Sequence, residues 1–165
     1  MKRRSAEYCQ QCGSKLGSTP IEGIYRRSCG VCGWVSYENP LPSSAAFVKN
    51  SSDEILLVKR GVDPGKGQWA LPSGFIEIDE TPAKACLREL KEETGLDGVI
   101  EKLLGVYSQE SLMYKNVIII AYFVQAQGRL IPGSDSVSAA YFSLKRLPVI
   151  AFSSHREIIT DGVNS

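Results

Sequence analysis

The chain has 165 residues, of which 43% are hydrophobic and 22% charged, and its formal net charge is +1. That composition excludes a disordered chain, and the near-neutral balance argues against a long nucleic acid gripped by bulk electrostatics. One core of ordinary size plus a small extra module is the expected content.

The first residues, Met1-Lys2-Arg3-Arg4, are basic but no apolar run follows, which reads as a solvated tail rather than a signal peptide. Cys9-Gln10-Gln11-Cys12 and Cys29-Gly30-Val31-Cys32 are two CxxC pairs with sixteen residues between them. Gly13 and Gly33, each directly after a pair, suit tight turns. The spacing fits a four-thiolate Zn²⁺ site, against which stand two disulfides or a redox pair. Asn39-Pro40-Leu41-Pro42 marks a boundary, giving a zinc ribbon over 1–40 and a second domain over 41–165.

Strands are expected at 44–49 and 54–59, split by the turn residues Asn50-Ser51-Ser52-Asp53. A loop follows over 61–67, then short strands at 69–71 and 75–77 around Pro72-Ser73-Gly74. Residues 81–94 form the one strongly marked helix, with Thr81 as N-cap, Pro82 at the first position and Gly95 just past the end. Strands at 99–107, 117–125 and 139–143 and a terminal helix beginning at 156–159 complete the pattern, a mixed α/β sandwich. The most apolar stretch, 117–124, is too short to span a bilayer, so a cytoplasmic protein with reduced thiols and no membrane partner is expected.

Along the helix Ala83, Cys86, Leu87 and Leu90 share a core-facing stripe, and Glu89, Glu92 and Glu93 fall within an arc of roughly 100° beside it. Carboxylates at this spacing repel one another by a few tenths of a kcal/mol per pair. A hard divalent cation such as Mg²⁺ relieves that repulsion. An ordinary acidic helix face is the plain alternative for the triplet by itself.

The wider spacing decides between them. Gly74 is followed after five residues by Glu80, and after seven more by Arg88-Glu89-Leu90, then Glu92-Glu93, then Gly95-Leu96. Chance produces such a match in about one in a billion placements. On these residues the chain resembles the Nudix hydrolases. The resemblance implies an α/β/α sandwich with a mixed sheet, in which Glu89, Glu92 and Glu93 bind Mg²⁺ or Mn²⁺, Arg88 orients carboxylates, Glu80 supports the site and Gly74 turns closely beside the phosphates. Which carboxylate acts as general base differs within that family, and Glu89 or Glu93 is the one expected here. Metals bound there neutralise the diphosphate and acidify the attacking water.

A zinc ribbon ahead of the box narrows the resemblance to two groups. The NADH pyrophosphatases, some of which remove NAD caps from RNA, carry a Ser-Gln-Pro-Trp-Pro-Phe-Pro signature where this chain reads Tyr107-Ser108-Gln109-Glu110-Ser111-Leu112. The plant-type FAD and ADP-ribose pyrophosphatases are closer, through Tyr37-Glu38-Asn39-Pro40, Gly67-Gln68-Trp69-Ala70-Leu71-Pro72 and Ala151-Phe152-Ser153-Ser154. Where such enzymes carry Glu-x-x-Glu, this chain has Asp135-Ser136-Val137-Ser138, so one acid is replaced by Ser138.

The expected activity is hydrolysis of the pyrophosphate bond in FAD, ADP-ribose or NADH. The alternatives are NAD-RNA decapping, kept open by Arg26, Arg27 and the tail, and a non-catalytic nucleotide sensor. Lys59, Arg60 and Glu77 are candidate substrate contacts, and the aromatics Tyr107, Tyr114 and Phe123 are candidates to stack a base. Cys86 reads as a packing residue and His155 as a surface helix residue. The resemblance further implies a homodimer.

Overall fold

The computed structural model describes residues 5–133 and 136–165; Arg3, Arg4 and Asp135 lie outside them. The chain divides into two compact units, one holding the chain up to Pro40 with Ser111–Lys115, the other Leu41–Glu110 with Asn116–Ser165.

In the first unit β1 (Gly17–Ile21) and β2 (Ile24–Ser28) pair antiparallel across the two-residue turn Glu22-Gly23, and β3 (Val35–Ser36) adds to β2. Cys9, Leu16 and Cys29 are buried together, with Ala6 and Trp34 against them. Three residues make a poor core, which is the usual condition of a module closed by a metal.

In the second unit β4 (Leu41–Phe47), β5 (Ile55–Arg60), β6 (Trp69–Ala70) and β7 (Ser73–Phe75) precede helix α1 (Pro82–Thr94). The long strands β8 (Asp97–Ser111) and β9 (Lys115–Gln127) follow, then β10 (Ser136–Phe142) and helix α2 (Ser153–Val163). Two sheets result, ordered β7-β4-β9-β8 and β10-β5-β6. β4 runs parallel to β9 and antiparallel to β7, and β5 is antiparallel to both neighbours. The sheets meet where Leu56 N–H donates to Val48 O.

The period of two along β4 and β5 sorts the core into two layers. Ala45, Phe47, Ile55 and Leu57 face Ile158 and Ile159 of α2. Ala46, Val48 and Leu56 face Cys86 and Leu90 of α1. Both faces being covered, β4 and β5 read in the sequence as near-continuous apolar runs. The expected mixed α/β sandwich is present, with Cys86 fully buried as expected.

Four details differ from the sequence reading; the first is the strand expected at 75–77, which lies instead at Ser73–Phe75, where it pairs with Ser43–Ala45 of β4. The buried side of α1 includes Ala85 and Thr94, while Ala83 is only half-buried. β8 and β9 run 15 and 13 residues because each satisfies the other along a shared edge, a long-range gain that local propensity does not encode. α2 starts at Ser153, earlier than expected, because its opening turn is capped from a distance: Gln109 Oε1 accepts from Ser154 N–H at 3.2 Å and from Ser154 Oγ at 2.9 Å.

The surface position expected for His155 is corrected. The residue is 2% exposed; its Nδ1 accepts the Leu71 N–H at 3.0 Å and its ring stands edge-on to Phe152. Burial, aided by the nearby Arg60 cation, pulls its pKa down to about 3. The unfolded chain therefore binds a proton below about pH 6.5 that the folded chain refuses until about 3. Folding loses stability as pH falls through that window, by about 1.4 kcal/mol per unit. In His155→Asn, whose Oδ1 can take the Leu71 N–H, this slope disappears. Urea unfolding at pH 7 and pH 5 should show wild type losing about 2 kcal/mol more than the variant between the two; equal losses would contradict the assignment.

Candidate functional site

Local chemistry sets α1 in place. Thr81 is extended and its Oγ1 accepts the Lys84 N–H at 3.3 Å, Pro82 begins the helix, and Gly95, left-handed at φ 74°, returns its N–H to Lys91 O. The preceding turn is closed by Glu80, whose N–H donates to Glu77 O while its Oε1 accepts the Glu77 N–H at 2.9 Å.

Arg88 stands among the acids. Its Nε and Nη2 form a two-pronged contact with the Glu80 carboxylate, at 3.1 and 2.6 Å. Nη1 donates to Glu89 Oε1 at 2.6 Å and to Glu92 Oε2 at 3.1 Å, and Nη2 also reaches Phe75 O at 3.0 Å. Paired forks of this kind are short and directional. The Arg88 contacts hold the Glu80 carboxyl below the usual range and keep Arg88 itself cationic. Burial pushes Glu89 up, and Arg88 opposes that shift.

β7 supplies the other wall. Ser73 N–H donates to Glu93 Oε2 at 3.0 Å. The Glu89 carboxylate lies so close above Gly74 that a Cβ there would fall 2.0 Å from Oε1. A side chain at that position would push the Glu89 carboxylate out of place. The structure therefore gathers Gly74, Glu80, Arg88, Glu89, Glu92 and Glu93. Three carboxylates on one guanidinium, with Glu93 held from β7, leave an excess of negative charge. All the donors are oxygens, as hard divalent cations prefer, and such ions are held by one or two carboxylates with waters and substrate phosphates. On this donor set and the Gly74 cradle the residues fit Mg²⁺ or Mn²⁺.

The remaining sequence candidates are placed differently. Glu77 is exposed and shapes the loop through its main chain. Arg60 turns to the 61–68 loop, with Nε 2.7 Å from Pro64 O and its guanidinium 5.0 Å from the Phe152 ring centre. Lys59 pairs in register with Trp69 and Ser138. Strand alternation puts it on the Leu57 side of β5, toward α2 and away from the face that α1 covers. Tyr107 and Phe123 pack onto the α2-side core, Tyr107 donating to Asp161 at 2.8 Å and Phe123 standing edge-on to Phe47. Sequence reasoning missed Ser73 and Phe75, whose main-chain groups contact the box; a backbone donor or acceptor leaves no side-chain signal.

The cysteines form two matching turns. Cys9 N–H donates to Ser14 O and Gly13 N–H to Cys9 O; Cys29 N–H donates to Trp34 O and Gly33 N–H to Cys29 O, all at 2.8–3.0 Å. Gly13 and Gly33 are left-handed, with φ 73° and 76°. All four Sγ atoms lie within 4.8 Å of one another and none is in a disulfide. Cys9 Sγ is 3.6 Å from Cys32 Sγ, and Cys12 Sγ is 3.5 Å from Cys29 Sγ. A tetrahedron with Zn–S bonds of about 2.3 Å has edges of about 3.8 Å, so the thiols are spaced as zinc ligands are. Among the described residues no helix is long and apolar enough to cross a membrane.

Comparison with known proteins gives the same family from different evidence. The chain is 43% identical over 111 residues to an ADP-ribose pyrophosphatase of Methanocaldococcus jannaschii, covering 66% of this chain and 65% of that protein. It is 25% identical over 147 residues to an NAD-capped RNA hydrolase NudC of Pseudomonas aeruginosa, covering 88% of this chain but only 50% of that one. The chain thus spans about half to two thirds of these relatives. A NUDIX hydrolase from Nitrosomonas europaea superposes with a TM-score of 0.82 at 27% identity, covering 93% of this chain and 88% of the other. Residues 39–161 match the NUDIX domain, and the chain belongs to the Nudix family.

Proposed function

We propose that the chain is a divalent-metal-dependent pyrophosphohydrolase acting on a nucleoside diphosphate derivative, with ADP-ribose as its first substrate and FAD and NADH as others of the same type. The observation that carries this reading is the acid cluster built around Arg88 and pressed onto Gly74. The 43% identical ADP-ribose pyrophosphatase supports the choice of substrate.

Glu89, Glu92 and Glu93 would hold Mg²⁺ or Mn²⁺, and Cys9, Cys12, Cys29 and Cys32 would hold a structural Zn²⁺ with no open position. Mg²⁺ or Mn²⁺ bound there would neutralise diphosphate charge and lower the pKa of the attacking water. Glu80 and Arg88 keep each other ionised and fix the directions of Glu89 and Glu92. Ser73 steadies Glu93. Glu89 or Glu93 takes the proton of the attacking water. The water oxygen joins one phosphorus, the bridging oxygen leaves with the other, and ADP-ribose yields AMP and ribose 5-phosphate.

A second reading is hydrolysis of NAD-capped RNA, supported by the NudC relative. Comparing free NADH with NAD-capped RNA as substrates separates the two. The homodimer belongs to the proposal as well: β8 ends the four-stranded sheet and exposes Val99, Leu103 and Val106, an edge open to a second copy. A monomer by light scattering at micromolar concentration overturns it.

Three measurements test the proposal. Assayed with Mn²⁺ on ADP-ribose, FAD, NADH and a nucleoside triphosphate, the wild type should release a nucleoside monophosphate, and Glu92→Gln and Glu93→Gln should each lose about 10²-fold or more; no turnover by zinc-loaded wild type on any of the four would refute the enzyme. Gly74→Ala should keep its circular dichroism while kcat falls about 10²-fold, because displacing Glu89 by an ångström is enough. Metal analysis should find one zinc per chain, released by Cys12→Ser with loss of the first unit's protease resistance.

A further inference from the structure

The C-terminal turn of α1 is closed largely by a distant segment. The last carbonyls of a helix have no partner within it. Here Thr94 O accepts from Ile131 N–H at 2.8 Å, and Glu93 O accepts from Gly133 N–H at 3.3 Å and from Ser136 Oγ at 2.8 Å. A Cβ on Gly133 would stand 2.7 Å from Glu92 O, so the segment lies directly on the helix end. The Ser136 hydroxyl is also 2.7 Å from Gly133 O, so its one proton is shared between that carbonyl and the Glu93 carbonyl of the helix.

A break in strand register delivers that hydroxyl. Ser136 pairs with Arg60 and Ser138 with Lys59, leaving Val137 as the extra residue, 68% exposed. Such bulges re-aim one side chain of a strand. Here the re-aimed side chain meets the main chain of Glu93, beside Glu92. Both acids sit in the last turn, the part of a helix that frays most readily.

We propose that Ser136 is a positioning residue for the divalent-metal site: its hydroxyl clamps the last turn of α1 so that the Glu92 and Glu93 carboxylates stay in place. This rests on the metal-dependent reading above. Ser136 acts through the Glu93 carbonyl and touches neither substrate nor metal.

The test is Mn²⁺ binding to the zinc-loaded full chain without nucleotide, read from the electron paramagnetic resonance signal of free Mn²⁺. Outer partners of metal ligands are worth about tenfold or more in affinity. Ser136 stands one step further out, so Ser136→Ala should weaken Mn²⁺ binding about threefold to tenfold. Ser136→Thr, which keeps the hydroxyl, should bind as wild type does, as should Val137→Ala on the exposed side of the bulge. Hydrolysis titrated with Mn²⁺ should show the same displacement of the metal midpoint, with a smaller change in rate at saturating metal. Unchanged affinity in Ser136→Ala overturns the proposal whatever happens to its thermal midpoint, and so does equal weakening in Ser136→Thr. Wild type that binds no Mn²⁺ sensitive to Glu92→Gln defeats the underlying metal site, a failure distinct from that of the clamp.

Discussion

Arg88 meets three carboxylates and one main-chain carbonyl, and the arrangement of the acid cluster depends on that one guanidinium. Glu89, Glu92 and Glu93 stand at helical spacings where like charges repel. A lysine would supply the charge but not the planar fork that grips Glu80 while reaching Glu89 and Glu92 on the other side. The guanidinium also ties the helix to the loop, because Glu80 and Phe75 O lie before α1 and Glu89 and Glu92 lie within it. The box is thus one electrostatic unit folded back on itself, and its residues are spaced in sequence by what one arginine can span.

That unit is fixed to the sheet by a few buried polar contacts. Ser44, fully buried on β4, has its Oγ 2.9 Å from Pro82 O and 3.1 Å from Ile120 O, joining the start of α1 to β9. Ser44 also pairs in register with Gly74. The register that anchors the helix therefore also sets the glycine beneath Glu89. Packing of Cys86 and Leu90 against Ala46, Val48 and Leu56 excludes water from the other side of the helix. Core packing and site geometry share the same strands, so neither can shift by much without the other.

The parts of this arrangement legible in the sequence are those whose causes are local. Thr81, Pro82 and Gly95 bound the helix because caps act within four residues. The two CxxC turns announce themselves because both knuckles use the same short-range bonds. The burial of His155 was not legible, since its partner Leu71 lies 84 residues away. The start of α2 was missed for the same reason, its cap being Gln109, 45 residues earlier. Lys59 looked well placed as the end of a strand near the box. Only the pairing with Trp69 and Ser138 shows which face of β5 carries it, and a shift of one residue in register would have reversed that answer.

The position of the acids on α1 carries a further electrostatic consequence. Glu92 and Glu93 occupy the last turn, where the helix dipole is negative and anions are disfavoured by a few tenths to about 1 kcal/mol each. The chain offsets part of this. Lys91 reaches Gly95 O at 3.0 Å and Asp97 at 2.9 Å, and Ile131, Gly133 and Ser136 donate to the Glu93 and Thr94 carbonyls. None of these bonds reaches the Glu92 or Glu93 carboxylate, so both acids stay beside the negative helix end. A divalent cation at that spot interacts favourably with the acids and with the dipole together. The same placement that makes the turn a poor helix terminus makes it a good cation site, and holding that turn with hydrogen bonds from outside the helix lets the acids remain there before any cation arrives.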